Sequence, residues 1–427
     1  MNRAIILSSL LAILLTTILW VLSKNGNSSV FIINNSLKAA SQILGLFGLV
    51  LMAVSLVFGT RSRIIDRVSG GLDKAFSAHA LLGSIGFIFI LHHPLLLIIR
   101  ALPDVSNALQ YILPGSMLSY NLGIGAFYTV IIGFIFIVFI KLPYHLWFFS
   151  HQFLSVAFIA AGIHSLLIPS DVSTYLPLRV WIIFCIAAGS IAVLYGVILF
   201  KKYGPRYEHI ITEVSVVDTI ISVTLKPIGS RLRYNAGQFV YAVFQNLSLG
   251  GEAHPFSFTS SPSENVVRLS MKASGDYTRK LPLLKVGEKA ILYGPFGAFG
   301  KSKNTDEIWV AGGIGITPFL SMLHEEKAKL SSRKITLFYS YRGDGEAGFI
   351  PEIRETIARI KNISFIEIDT SRDNRLTGEK IVQTVGVVDD CEVLLCGPVP
   401  MMEQIKKQLV ALGVPESRIY YEKFSFT

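Results

Sequence analysis

Six apolar runs, each long enough to cross a bilayer, crowd into the first 200 residues of this 427-residue chain, and no other feature restricts its fold as much. A membrane helix needs about 20 apolar residues, because its backbone must satisfy its own hydrogen bonds inside hydrocarbon. The runs fall at roughly 4–22, 39–58, 76–99, 121–140, 147–168 and 179–200. Those 200 residues hold ten Lys or Arg and four Asp or Glu, whereas the rest of the chain holds 29 and 25. A membrane half and a water-soluble half of ordinary charge density therefore share one chain. Arg3 before the first run invites reading it as a signal peptide, but no clean small-residue cleavage site follows and five more runs do, so it reads as a span.

The net charge of +10 does not point to nucleic acid. No Arg-rich arm or aromatic-interleaved basic stripe accompanies it. In the membrane half the cations sit at run ends: Arg61, Arg63, Arg67 and Lys74 between the second and third runs, Lys141 between the fourth and fifth, and Lys201, Lys202 and Arg206 after the sixth. The positive-inside rule then places both termini and the soluble half in the cytoplasm. Cys185, Cys391 and Cys396 form neither a metal-spaced cluster nor a disulfide framework.

Beyond about residue 205 the pattern changes. Short β-rich runs at Ile210–Val217, Ile220–Leu225, Gln238–Phe244, Val266–Ala273 and Lys289–Tyr293 lie between turn-rich segments, as in an antiparallel barrel. From about 305, apolar strands at Glu307–Val310, Ile335–Tyr339, Ile363–Ile368 and Glu392–Cys396 alternate with helical patterns, as in a doubly wound parallel sheet. The expected architecture is a six-helix transmembrane bundle (1–203), an antiparallel β-barrel domain (204–303) and a doubly wound α/β domain (304–427).

Six of the nine histidines lie in the apolar half. An imidazole in hydrocarbon needs a partner, so each is a functional candidate. His79 and His93 are 14 residues apart in the third run, close to four helical turns, on nearly one face about 21 Å apart. His151 and His164 are 13 apart in the fifth, which runs in the same direction. Two histidines on facing helices at each of two depths is what two bis-imidazole haems require. The 13-residue step leaves His164 about 140° off the face of His151, so a bend or twist near Gly162 is expected. His92 competes with His93; the 14-residue step favours His93, beside a Pro94 that could kink the helix.

In the soluble half, Gly312-Gly313-Ile314-Gly315-Ile316-Thr317-Pro318 follows an apolar strand and opens a helical pattern. Glycines there let backbone N–H groups approach a pyrophosphate at a helix N-terminus. Cys396-Gly397-Pro398 sits at a second strand-to-helix junction. In the barrel half, Arg231–Phe239 (RLRYNAGQF) and His254–Pro262 (HPFSFTSSP) interleave aromatic rings with hydroxyls, which suits a flat heteroaromatic ligand, and Gly275–Arg279 (GDYTR) reads as a turn into a short helix.

These residues carry a resemblance. The soluble half resembles the ferredoxin–NADP reductase family, and nearly the whole chain is similar to bacterial members of the NADPH oxidase and ferric reductase superfamily of transmembrane flavocytochromes b. HPFSFTSSP resembles the family's flavin motif, AGQF its entry, GDYTRKL its flavin-pyrophosphate turn, and GGIGITP with CGP its nicotinamide dinucleotide motifs. The resemblance implies FAD lined by His254, Pro255, Phe256, Ser257, Phe258 and Thr259, with Ser257 near the reactive ring nitrogen and Gly275 and Thr278 at the pyrophosphate. It implies NADPH, or NADH, on Gly312, Gly313, Gly315, Thr317, Pro318, Cys396, Gly397 and Pro398, with Arg342 and Arg372 at the ribose or its 2′-phosphate. Phe424 would stack on the flavin until nicotinamide displaces it. His79, His93, His151 and His164 would ligate two b-type haems.

The expected activity is electron transfer from cytosolic NAD(P)H through FAD and the haems to an acceptor across the bilayer. Oxygen giving superoxide comes first and ferric iron second; a cytochrome serving a quinone or partner protein, and a haem-free anchor, are the competing readings. No calcium-binding segment, regulatory insertion or obligatory protein partner is evident in the sequence.

Overall fold

The computed structural model describes residues 3–140, 142, 144–300, 305–328, 333–373 and 375–422, without side chains at 144, 145 and 328. It divides into two compact units between Lys202 and Tyr203.

The first unit is helical. Its long helices are α1 (Arg3–Leu22), α2 (Ser36–Phe58), α3 (Leu72–Ala101), α4 (Leu118–Val138), α5 (Tyr144–Leu167) and α6 (Leu176–Leu194), the last continuing through a wider turn at Tyr195–Leu199 to Tyr203. Among the described residues these six are long and apolar enough to cross a membrane. Their outward faces expose side chains that water would reject, such as Leu10, Ile132 and Ile191. Hydroxyls within the runs bond back to their own helix, as Ser9 Oγ donates to Ile5 O at 2.9 Å and Thr16 Oγ1 to Ala12 O at 2.7 Å, which spares those hydroxyls an unmet hydrogen bond in hydrocarbon. Short helices at Ser28–Asn34, Arg63–Ser69, Val105–Leu109 and Asp171–Thr174 lie in the connections, where hydrophobic periodicity gave no sign of them.

Small residues let α2 and α3 approach backbone to backbone. A Cβ on Gly48 would lie 3.2 Å from Gly86 O, and one on Gly86 would lie 3.3 Å from Gly48 O. At one end of the bundle the Lys24 ammonium meets Asp171 at 2.5 Å, with Gln42 Oε1 at 3.4 Å. The two side chains are 6% and 19% exposed, a buried pair tying the connection after α1 to the one after α5.

The second unit opens with an antiparallel sheet of β1 (Arg206–Val217), β2 (Ile220–Pro227), β3 (Phe239–Phe244), β4 (His254–Ser257), β5 (Val267–Lys272) and β6 (Lys289–Phe296), in spatial order β4-β3-β6-β1-β2-β5. It curls into a half-barrel until Phe258, just past β4, bridges Leu269 of β5. Alternate residues fill its inside, among them Ile221, Val223, Val240, Ala242, Phe258 and Leu292. The sequence pattern did not mark β4 as a strand, because its four residues carry a proline and a histidine.

A parallel sheet follows, built from β7 (Glu307–Gly312), β8 (Ile335–Tyr341), β9 (Ile363–Asp369), β10 (Glu392–Cys396) and β11 (Ile419–Glu422) in order β11-β10-β7-β8-β9. Helices α7 (Thr317–Ala328), α8 (Ile350–Ile357), α9 (Gly378–Val385) and α10 (Val399–Ala411) cover its faces over two apolar layers. Strand order reverses between β7 and β10, the position at which doubly wound sheets open a ligand crevice. The six-span, curled-barrel and parallel-sheet architecture is the one the sequence implies.

Candidate functional site

The membrane unit brings its histidines together in two pairs. His79 on α3 and His151 on α5 place their ring centroids 5.7 Å apart at an interplanar angle of 72°. Four turns along, His93 and His164 lie 6.5 Å apart at 67°. An iron bound by both rings of a pair needs two bonds of about 2 Å plus about 1 Å from each nitrogen to its ring centre, or about 6 Å in all. Among the described residues no cluster of three or more His, Cys, Asp or Glu assembles a metal site. An iron here would draw two ligands from the protein and the rest from a planar prosthetic group, and both spacings fit that demand.

Hydrogen bonds set the tautomer. His79 Nδ1–H donates to Ser55 O at 2.9 Å and lies 3.0 Å from Ser55 Oγ, whose own proton goes to His79 O at 2.8 Å. His93 repeats the clasp with Ser41 at 2.8, 3.0 and 2.8 Å. His164 Nδ1–H donates to Ser119 O at 2.6 Å. A proton on Nδ1 leaves Nε2 with the lone pair a metal needs, and a metal-bound imidazole is ordinarily steadied in this way.

Each clasp needs a glycine. To reach the carbonyl of residue i, the ring must pass over residue i+4 on the same helix face. A Cβ would lie 2.9 Å from His93 Nδ1 on Gly45, 2.9 Å from His79 Nδ1 on Gly59 and 2.8 Å from His164 Nδ1 on Gly123. These serines and glycines are site residues that the sequence reading missed. Their signal is a Ser-x-x-x-Gly motif at 41–45, 55–59 and 119–123, the first two at the same 14-residue interval as His79 and His93.

His92 turns the other way and donates Nδ1–H to Ile88 O of its own helix at 2.7 Å. Helix α5 is continuous through Gly162. Both of its histidines still reach α3, edge-on to their partners, because rings from different sides of one helix can meet the same neighbour.

In the half-barrel, Ser257 of β4 pairs with Phe239 of β3, which pairs with Phe296 of β6, so one row of residues crosses three strands. Gly297 ends that row at φ +96°, where a Cβ would lie 2.9 Å from Glu422 Oε1. The end of β11 thus comes to the row that holds Ser257. Phe424, two residues later in the sequence, is outside the described residues. Pro255 pairs with Tyr241, and the His254 ring stacks on Tyr277 at 3.7 Å, with Nε2 3.0 Å from Glu252. Phe256 and Phe258 point into the barrel core, Phe258 stacking on Tyr234 at 3.7 Å, and Thr259 Oγ1 donates to Arg268 O at 3.0 Å. Their side chains are committed inside the protein. At the following turn Thr278 Oγ1 accepts the Gly275 N–H at 3.0 Å.

At the reversal of the parallel sheet the two glycine loops touch. A Cβ on Gly315 would lie 2.3 Å from Cys396 O, one on Gly312 2.8 Å from Pro398 Cδ, and one on Gly397 3.0 Å from Gly312 N. Gly313 takes φ +53°, and Thr317 Oγ1 donates to Ile314 O at 3.0 Å as α7 begins at Thr317-Pro318. Burial pushes the Cys396 thiol well up, with Glu422 adding to the effect, so Cys396 stays protonated and serves packing.

Arg342 is exposed after β8, and Arg372 is exposed after β9, with Nε 3.4 Å from Asp369 Oδ2. Asp369 Oδ1 accepts the Ser371 hydroxyl at 2.7 Å and the Gly343 and Ser371 N–H groups at 2.9 and 3.0 Å, which pins the two arginine-bearing loops together. A charge cluster joins half-barrel to parallel sheet: the Glu352 carboxylate of α8 takes Arg268 of β5 and His324 Nε2 of α7, the latter at 2.7 Å. Burial alone would raise the Glu352 carboxyl, but the bonds from His324 and Arg268 hold it below the usual range. Nothing in the sequence announces this latch.

Family comparisons bear on each part. A ferric reductase like transmembrane component matches residues 44–162, an FAD-binding domain 208–310 and an oxidoreductase NAD-binding domain 309–407. The chain has the layout of the ferric reductase-like and NADPH oxidase superfamily. It is a multi-pass membrane protein with FAD- and NAD-binding oxidoreductase domains. Flavohemoprotein A of Dictyostelium discoideum is 28% identical over 50% of this chain and 58% of its own length. The propane 2-monooxygenase reductase component of Mycolicibacterium smegmatis is 28% identical over 52% and 69%. The chain thus spans little more than half the length of the first curated relatives it matches. A flavohemoglobin structure from Malassezia yamatoensis aligns with 92% of this chain and 98% of its own at TM-score 0.52 and 20% identity, a likeness of fold alone.

Proposed function

We propose that this member of the superfamily carries electrons from NAD(P)H in the cytoplasm across the membrane to an acceptor on the far side. The observation that carries the reading is the pair of histidine pairs, each spaced for one iron, in the same chain as FAD- and NAD-binding domains. When bound, FAD supplies the conversion of a hydride's two electrons into single ones, and two b-type haems supply relay points across hydrocarbon that no side chain offers.

The chain's own residues do the rest. The loops at Gly312–Pro318 and Cys396–Pro398 hold the dinucleotide against backbone N–H groups, and Arg342 and Arg372 receive a 2′-phosphate, which favours NADPH over NADH. Ser257 would sit by the flavin's reactive edge with His254, Pro255 and the Phe256–Thr259 backbone beside it, Gly275 and Thr278 would hold its pyrophosphate, and Phe424 would be the residue to cover its face. His79 with His151, and His93 with His164, would ligate the irons, while the apolar helices exclude water. Cations in the loops after α2, α4 and α6 support cytoplasmic termini in a bacterial-type plasma membrane.

One NAD(P)H yields a hydride, hence two electrons and one proton. The two electrons reduce two O2 to two superoxide ions, the acceptor we favour. Ferric iron is the second reading, which the ferric reductase like description of the membrane part favours; two ferric ions would become two ferrous. The test is cofactor content and acceptor. Protein purified in detergent should carry two haems per chain and, given FAD and NADPH in air, reduce a superoxide-specific trap in a manner that superoxide dismutase suppresses. Ferric chelate reduction that superoxide dismutase leaves unchanged would replace oxygen by iron, and a haem-free protein would end the reading.

A further inference from the structure

The four candidate ligands are not held alike. His79 and His93, both on α3, are clasped in both directions by Ser55 and Ser41 of α2. His164 is held in one direction by Ser119 of α4. His151 has a buried Nδ1 with no acceptor among the described residues, and its ring is steadied instead by stacking on Trp147 at 5.2 Å and 13°.

The sequence says why. Fourteen residues beyond Ser119 and Gly123, where α4 would present a second clasp to α5, stand Gly133 and Ile137. The first has no hydroxyl, and the space over it is taken by Leu154, whose Cδ2 would lie 2.5 Å from a Cβ there. The second carries a branched side chain where the other three sites have a glycine. Neither change alters the iron spacing, so His79 and His151 still close to 5.7 Å.

We propose that the Ser-x-x-x-Gly clasps are positioning elements for the metal ligands, and that the missing fourth makes the haem between His79 and His151 the more weakly held of the two. This rests on the haem reading above. An imidazole whose Nδ1–H is hydrogen-bonded is a better donor and is fixed in orientation, and loss of such a partner costs about 10- to 100-fold in metal affinity. The less basic ligand also stabilises the ferric state less, so the same haem carries the more positive midpoint potential.

The test uses the full-length protein in detergent, loaded with haem and oxidised. Transfer of haem to excess apomyoglobin should occur in two phases whose rates differ by about 10- to 100-fold. Ser55→Ala, which keeps the backbone carbonyl that takes His79 Nδ1–H but removes the hydroxyl donating to His79 O, should accelerate the fast phase, that of the haem with the more positive midpoint potential, leaving the other haem alone. Ser41→Ala, which likewise removes only the hydroxyl donating to His93 O, should act on the slow phase instead. Gly59→Ala should abolish the fast-leaving haem; because that variant could misfold, Gly125→Ala, where nothing lies within 4 Å of the added Cβ, serves as the control that keeps both haems. Two haems leaving at one rate, or Ser55→Ala altering the slow phase, would overturn the proposal while leaving the relay intact. Protein with no haem at all would instead remove the relay.

Discussion

The membrane unit assembles its candidate site from side chains, and the soluble unit assembles its own largely from backbone. In the bundle the candidates are four imidazoles on two helices, and glycines matter because they let a ring reach a carbonyl. In the parallel sheet, Gly312, Gly315 and Gly397 matter because two loops lie backbone against backbone. Hydrocarbon offers no water to steady a polar ring, so the protein must hold it by a second hydrogen bond. A dinucleotide pyrophosphate is instead recognised by N–H groups at a strand-to-helix turn, and any Cβ there is in the way.

That contrast can be broken at either end. The largest effect is expected from Gly315→Ala, whose Cβ would lie 2.3 Å from Cys396 O. It should lower NADPH-dependent flavin reduction by about 100-fold in stopped flow, as displacement of a bound reactant by about 1 Å does, with haem content unchanged. Lost haem would show that the units do not fold apart. His93→Ala should do the opposite, removing one haem of two while flavin reduction by NADPH proceeds, and His92→Ala should keep both; pyridine haemochrome content reads the result.

Smaller effects sharpen the soluble side. Arg372→Ala should cut the NADPH-over-NADH preference in kcat/KM about tenfold, the worth of one charge-assisted hydrogen bond of about 1.5 kcal/mol. An unchanged ratio would remove Arg372 from the 2′-phosphate. Phe424→Ala should change hydride-transfer kinetics or nucleotide preference without touching haem content. The smallest effect concerns the Glu352 latch. A carboxyl held below its unfolded value stabilises the fold above about pH 4.3 and loses that contribution as pH falls through its folded value. Melting of the soluble unit in the full chain should therefore fall on acidification in wild type, and Glu352→Gln should flatten that acid limb.

The sequence was most legible where one residue type recurs at a helical interval or a strand ends in glycines. The six spans, the histidine layers and both nucleotide loops come from such signals. It was least legible where function depends on pairs distant in the chain. Ser41 and His93 are 52 residues apart, and Arg268 and Glu352 are 84 apart. Their partners are chosen by helix and strand packing, which local pattern does not encode. Phe256 and Phe258 teach a related lesson: their aromatic character suited a flat ligand, but strand alternation turns both into the barrel core. The 13-residue step between His151 and His164 puts them on different sides of an ideal helix, yet both rings meet histidines of α3.

One measurement tests the central claim most directly. Purified protein loaded with FAD is mixed with NADPH under anaerobic conditions, and the flavin and haem absorption bands are followed together. The account predicts that b-type haem bands appear and reach two reduced haems per chain. Flavin bleaching with no haem reduction would contradict it, and would leave the membrane unit as an anchor for a soluble reductase.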